Sequence, residues 1–137
     1  MTAGYSGRPL AKKLSLQDGM RVWRDGMPDS VAEAIEAEGL QLDRLPAPSQ
    51  PIDAAHIFVT ERAALEAKLR QLMPLLAPAG CIWVSWPKKS SKMATDITED
   101  AIRDVALPMG LVDVKVCAID VTWSGLKLMI RKEPRAL

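Results

Sequence analysis

The chain has 137 residues, about the size of one ordinary domain, and its net charge of +1 provides no global field to draw in nucleic acid or a membrane surface. Its two cysteines, Cys81 and Cys117, sit in apolar runs, which fits reduced core thiols of a cytoplasmic protein better than a disulfide framework. No apolar run approaches a membrane span, and "MTAGYSGRPLAKK" lacks the apolar region of a signal peptide.

In chain order, residues 1–17 read as an arm that packs on the domain or stays partly ordered. "GMRVW" at 19–23 is a first strand. Helix signals follow in "PDSVAEAIEAEG", where Ser30 and Glu33 match a capping box and Gly39 is a stop. "LQLDRL" at 40–45 alternates like a second strand, and the prolines of "PAPSQP" mark a loop. "IDAAHIFV" at 52–59 is nearly all apolar, as expected of a strand covered on both faces. Thr60 is the expected cap of a helix whose Leu65, Leu69, Leu72, Met73 and Leu76 form one stripe. "CIWVSW" is the next buried strand, with Trp83 and Trp86 three apart and so on opposite faces. Asp96 or Thr98 caps a further helix carrying Ile102, Val105, Ala106 and Met109 on one face, with Pro108 and Gly110 ending it. "LVDVKVCAIDV" and "LKLMIRK", joined across Thr122–Gly125, read as a hairpin.

Strands alternating with helices call for a three-layer α/β fold over residues 1–137, with a mostly parallel sheet, helices on both faces and a C-terminal antiparallel hairpin. The seven residues from 45 to 51 are too few for a parallel crossover. The 40–45 strand is therefore expected to be irregular, antiparallel, or away from the sheet's centre.

This order resembles the class I methyltransferase fold, in reduced form. "DGMRVW" stands where such enzymes have their first strand, and "LMPLLAPAGCIWVSW" is similar to their helix, turn and strand. The chain looks one βα unit short of them. The segments "GYSGRPLAKKL", "HIFVT", "WVSWPKKSSK", "ATDITEDAIRDVALP" and "GLVDVKVCAIDVTWSGLK" resemble an uncharacterised bacterial family, domain of unknown function 3052, which has no assigned activity. The methyltransferase resemblance implies S-adenosylmethionine, a glycine-rich turn after the first strand and an acid after the second. Only Gly26 stands in that turn, with Met27 and Pro28 beside it, and Pro28 lacks an N–H donor. Asp43 is the residue that could replace the ribose acid.

The net charge conceals blocks. Residues 1–24 carry five bases and one acid, residues 25–53 seven acids against Arg44, and residues 88–92 three lysines. These are solvated surface or two sides of one cleft. His56 reads as a hydrogen-bonded core residue rather than a general base, no Cys or His pair has metal-ligand spacing, and Ser85 has no nucleophile elbow. No catalytic residue and no metal is assigned.

In open α/β sheets, ligands sit beyond the carboxyl ends of the strands. "SWPKKSSK" lies there, so Trp86, Lys88, Lys89, Ser90, Ser91, Lys92 and Thr95 are the expected ligand-binding residues. Lysines, hydroxyls and a helix start suit an anion, although Asp96, Glu99 and Asp100 could absorb the lysines instead. The expectation is a non-catalytic domain that binds an anionic small molecule or a protein partner through residues 86–97. The alternative is a methyltransferase with an unusual S-adenosylmethionine pocket, which would use Gly26 and Asp43. A homo-oligomer paired through the hairpin edge is a further expectation.

Overall fold

The computed structural model describes residues 9–132. Six strands form one sheet in the order β2-β1-β3-β4-β6-β5. The chain runs α1 (Leu10–Lys13), β1 (Arg21–Asp25), α2 (Asp29–Glu36), β2 (Asp43–Arg44), β3 (Ile52–Phe58), α3 (Arg62–Leu72), β4 (Leu76–Pro87), α4 (Glu99–Met109), β5 (Leu111–Ala118) and β6 (Trp123–Ile130). The β2–β1, β1–β3 and β3–β4 pairs are parallel, and β6 runs antiparallel to both β4 and β5. Of the expected N-terminal arm, residues 1–8 lie outside the described residues, while Leu10, Ala11 and Leu14 are buried.

The two faces follow from strand alternation. On the first, Val22, Ala54, Phe58, Cys81 and Trp83 pack under Leu10 and Leu14 of the α1 segment and Val31 and Ile35 of α2. On the second, Ala55, Ile57, Ile82, Val84, Trp86, Leu126 and Leu128 pack against Leu65, Leu69 and Leu72 of α3 and Ile102, Val105 and Ala106 of α4. β3 and β4 are buried on both faces, which is why their sequences are continuously apolar. Trp83 and Trp86 take opposite faces as their spacing requires, and the Trp83 indole donates to the Leu14 carbonyl at 3.2 Å, tying the N-terminal segment to the sheet.

Several local expectations are corrected. The Ser30–Glu33 capping box does not form. Pro28, with φ −62° and ψ 149°, is the N-cap, so Ser30 lies inside the helix. Thr60 does not cap α3. Glu61 is the N-cap, and the Arg62 N–H is satisfied by the Asp96 carboxylate, 34 residues away, at 2.7 Å. The 40–45 strand shrinks to Asp43–Arg44 at the sheet's edge, parallel to β1. Residues 45–51 do make the crossover to β3 without a helix, because they need only pass beneath β1. That is about two strand spacings, or ~10 Å, well within the roughly 23 Å reach of seven extended residues. Residues 77–80 belong to β4 instead of forming a turn. Trp123–Gly125 belong to β6, and the hairpin turn sits earlier, where the Asp120 carboxylate accepts from the Thr122 and Trp123 N–H groups, both at 2.8 Å.

Among the described residues no helix is long and apolar enough to cross a membrane, and no cluster of His, Cys, Asp and Glu could hold a metal ion.

Candidate functional site

The carboxyl ends of β1, β3 and β4 define one rim of the molecule. At the first of them the chain closes on itself. Gly26 has φ +72°, and a Cβ there would stand 3.3 Å from the Phe58 carbonyl oxygen and 3.5 Å from the Phe58 Cβ. The end of β1 thus lies directly against the end of β3, where the strand connections diverge. Asp25 is held by Lys68 of α3 at 3.2 Å. The Arg24 side chain, only 13% exposed, donates to the Met27 sulfur at 3.3 Å and reaches Glu36 at 3.5 Å. Burial, and secondarily the Arg44 charge, pull the Arg24 pKa below its ordinary value. Outside this turn lies a groove of about 460 Å3, walled chiefly by charge: Arg24, Arg44, Asp29, Glu33 and Glu36.

His56 sits on the first face beside Arg24. Its Nε2 is 2.7 Å from the Ser85 hydroxyl, and its ring stacks on Phe58 at 4.5 Å. Burial first, and Arg24 second, push its pKa down to about 3. The imidazole is neutral and fully engaged in the core. Cys81 is likewise inert, with burial raising its thiol to about 11.

The rim beyond β4 differs. There a hollow of about 420 Å3 is lined by Trp86, Pro87, Lys88, Lys89, Met93, Thr95, Ile97, Thr98 and Glu99. Trp86, 8% exposed, and Ile97 belong to the core beneath it. The loop above is fastened at both ends. The Lys88 N–H donates to the Thr122 carbonyl at 2.8 Å, and the Thr95 hydroxyl donates to the Thr60 carbonyl at 2.7 Å. Between these ties a 3-10 turn over Lys89–Ser91 ends at Lys92 in the left-handed region, φ 62°. Thr98 caps α4 as expected, accepting from the Ala101 N–H at 3.1 Å.

The structure brings Trp86, Lys88, Lys89 and Thr95 together around the hollow. Ser90, Ser91 and Lys92 are not in its lining: they form the outer turn, where the Ser91 hydroxyl donates to the Lys88 carbonyl at 2.7 Å. The Thr95 hydroxyl is also occupied, by the Thr60 carbonyl and the Ile97 N–H. The acids that could have absorbed the lysines have other partners, although Glu99 itself lines the hollow. Asp96 caps α3, while Glu99 and Asp100 pair with Arg103 at 2.7 and 3.3 Å. Among the described residues no ion pair joins Lys88, Lys89 or Lys92 to a carboxylate. Met93 and Ile97, which with Trp86 and Pro87 make the apolar part of the lining, are not singled out by the sequence. Their signal was the apolar break in a polar stretch.

No family model and no curated protein matches the sequence. Solved structures do match. The mitomycin 7-O-methyltransferase MmcR superposes with TM-score 0.63 at 13% identity, over 89% of this chain and 53% of that one. A SAM-dependent methyltransferase from Aquifex aeolicus gives 0.57 at 16% identity, over 88% and 89%. LepI, solved with SAH and a substrate analogue, gives 0.55 at 12% identity, over 88% of this chain and 39% of that one. The fold is methyltransferase-like Rossmann. The chain spans about two-fifths of LepI's length and half of MmcR's.

That fold implies S-adenosylmethionine, and the residues beside Gly26 do not fit it. Asp43 is level with Arg21, four residues before the carboxyl end of β1, so at about 3.3 Å per residue it lies ~13 Å below the rim where a ribose would sit. Pro28 contributes no N–H to the turn. The groove outside offers Met27 and Ala32 as its apolar surface, with no aromatic ring to stack an adenine.

The burial of His56 lets one part of the acid destabilisation be traced to a single residue, beside the smaller part that the lowered pKa values of Asp53 and Asp113 contribute. The unfolded histidine takes its proton near pH 6.5 and the native one near 3, so stability is complete above pH 6.5 and falls with pH between the two. Two units of that window cost about 2.7 kcal/mol. Urea denaturation at pH 7 and pH 4.5 should show wild type losing about 2–3 kcal/mol more than His56→Gln. Equal losses would contradict a neutral core histidine.

Proposed function

We propose that this chain is a small-molecule-binding domain on a methyltransferase-like scaffold, whose ligand is an anion carrying an aromatic or other apolar group. The supporting observation is the hollow beyond β4: apolar floor from Trp86, Ile97 and Met93, cationic rim from Lys88 and Lys89, and no carboxylate paired with either lysine. Its volume of about 420 Å3 suits a compact ligand better than a protein surface. No residue of the hollow forms a nucleophile–base pair, and the one buried Ser–His contact, His56 with Ser85, is on the other face. The reading is therefore binding without bond-making. Kinship with domain of unknown function 3052 and residence in the cytoplasm belong to the same proposal. They rest on the quoted sequence segments and on the two free thiols.

Calorimetric titration with 1-naphthyl phosphate tests it, with inorganic phosphate and 1-naphthol as controls. The aryl phosphate is expected to bind more tightly than either fragment, and Lys88→Ala combined with Lys89→Ala to weaken it tenfold or more while leaving the melting temperature within a degree or two. Unchanged affinity in the double variant would refute the site.

A second reading, S-adenosylmethionine-dependent methyl transfer, is favoured by neighbours solved with SAM or SAH. It requires the adenosyl group to find room along the charged groove by Gly26. It predicts a melting-temperature rise of several degrees at millimolar S-adenosylmethionine, and no rise counts against it.

A further inference from the structure

The methionines divide by how they are packed. Of the seven in the chain, six fall among the described residues. Met73 and Met109 pack against the core of the second sheet face, and Met20, Met27 and Met129 against that of the first. Met93 belongs to neither cluster. It is 43% exposed, the one exposed methionine among the described residues, and it stands in the lining of the hollow beyond β4. A sharp turn carries it there. Lys92 takes φ 62°, and the Met93 N–H donates to the Ser91 hydroxyl at 3.3 Å. Met93 thus borders solvent and ligand space at once.

We infer that Met93 is an oxidation site that regulates the hollow, its sulfoxide putting a polar group where an apolar side chain had met the apolar part of an anionic ligand. The inference rests on the ligand reading proposed above. Hydrogen peroxide suffices as the oxidant. The Met93 Sδ lone pair attacks one peroxide oxygen and an S–O bond forms as the O–O bond breaks. The departing hydroxide takes the proton of the new S–OH and leaves as water. Selectivity follows from access: a packed thioether must first be uncovered by local opening, whereas Met93 is exposed in the folded state. The competing nucleophiles are the two thiols, and burial holds both protonated. It pushes Cys81 up to about 11 and also raises half-buried Cys117. The consequence is local. Met93 shares the hollow with Trp86 and Ile97, while Lys88 and Lys89 keep their charge. Oxidation therefore removes affinity that comes from burying the aryl group and leaves the part that comes from the cations.

Each methionine falls in a tryptic peptide of its own, residues 93–103 for Met93, so peptide mass spectrometry after brief exposure to hydrogen peroxide reads the sites separately. Met93 should oxidise at least about fivefold faster than Met20, Met27, Met73, Met109 or Met129. Calorimetric titration of the treated chain should then show 1-naphthyl phosphate bound about fourfold more weakly, the scale of one buried methylene lost. Dithiothreitol with the two methionine sulfoxide reductases should restore the affinity. Met93→Leu, whatever affinity it starts from, should lose none of it to peroxide. Equal binding before and after Met93 is oxidised would overturn this inference and leave the ligand reading standing, as would a packed methionine that oxidises first. A chain that does not bind the aryl phosphate before treatment would overturn both.

Discussion

The contact of Gly26 with Phe58 decides what this scaffold can hold. Two strand ends meet there closely enough that a Cβ would stand 3.3 Å from the Phe58 carbonyl oxygen, and the positive φ of Gly26 turns the chain straight into Pro28 and α2. α2 then lies over the first face of the sheet with Val31 and Ile35 beneath it, and Arg24 is trapped at its edge among Met27, Glu36 and Arg44. Where strand connections diverge, the place at which an open α/β sheet ordinarily offers room to a ligand, the groove of about 460 Å3 beside Gly26 is walled chiefly by charge.

The ligand-sized space with an apolar floor lies beyond β4. β4 is buried on both faces, so its end delivers Trp86 to the base of a hollow instead of into solvent. The loop above stays in place because Thr60, at the end of β3, accepts from the Thr95 hydroxyl and the Asp96 N–H, while Asp96 in turn caps α3. One short polar cluster therefore fixes the position of the loop relative to two strands and a helix. It also occupies Asp96, one of the acids that follow the lysines in sequence. The cationic rim is an outcome of how the neighbouring carboxylates are used, not of the overall charge, which is close to zero.

Periodicity was legible where burial is one-sided. Leu65, Leu69 and Leu72 line one stripe of α3, and Leu126 and Leu128 one face of β6. The doubly buried strands were legible from composition, and the lysine loop's place beyond β4 followed from strand order alone. What escaped depends on partners distant in sequence. The cap of α3 comes from Asp96, invisible from Thr60 and Glu61. The Ser30–Glu33 pattern is a good capping box in isolation, and Pro28 pre-empts it by starting the helix earlier. Asp43 sits in the right segment for a strand-end acid, but β2 stops level with Val22, so its register excludes that role. The hydroxyls of Ser91 and Thr95 looked available because nothing local showed that backbone carbonyls would take them.

The central claim is that the groove beside Gly26, walled by charge and without an aromatic ring, does not suit an adenosyl group. Amide chemical-shift mapping of the 137-residue chain titrated with S-adenosylhomocysteine addresses it residue by residue. The account predicts no saturable shift across Asp25–Val31 at millimolar ligand. Saturable shifts centred on Gly26, Met27 and Asp29 would contradict it.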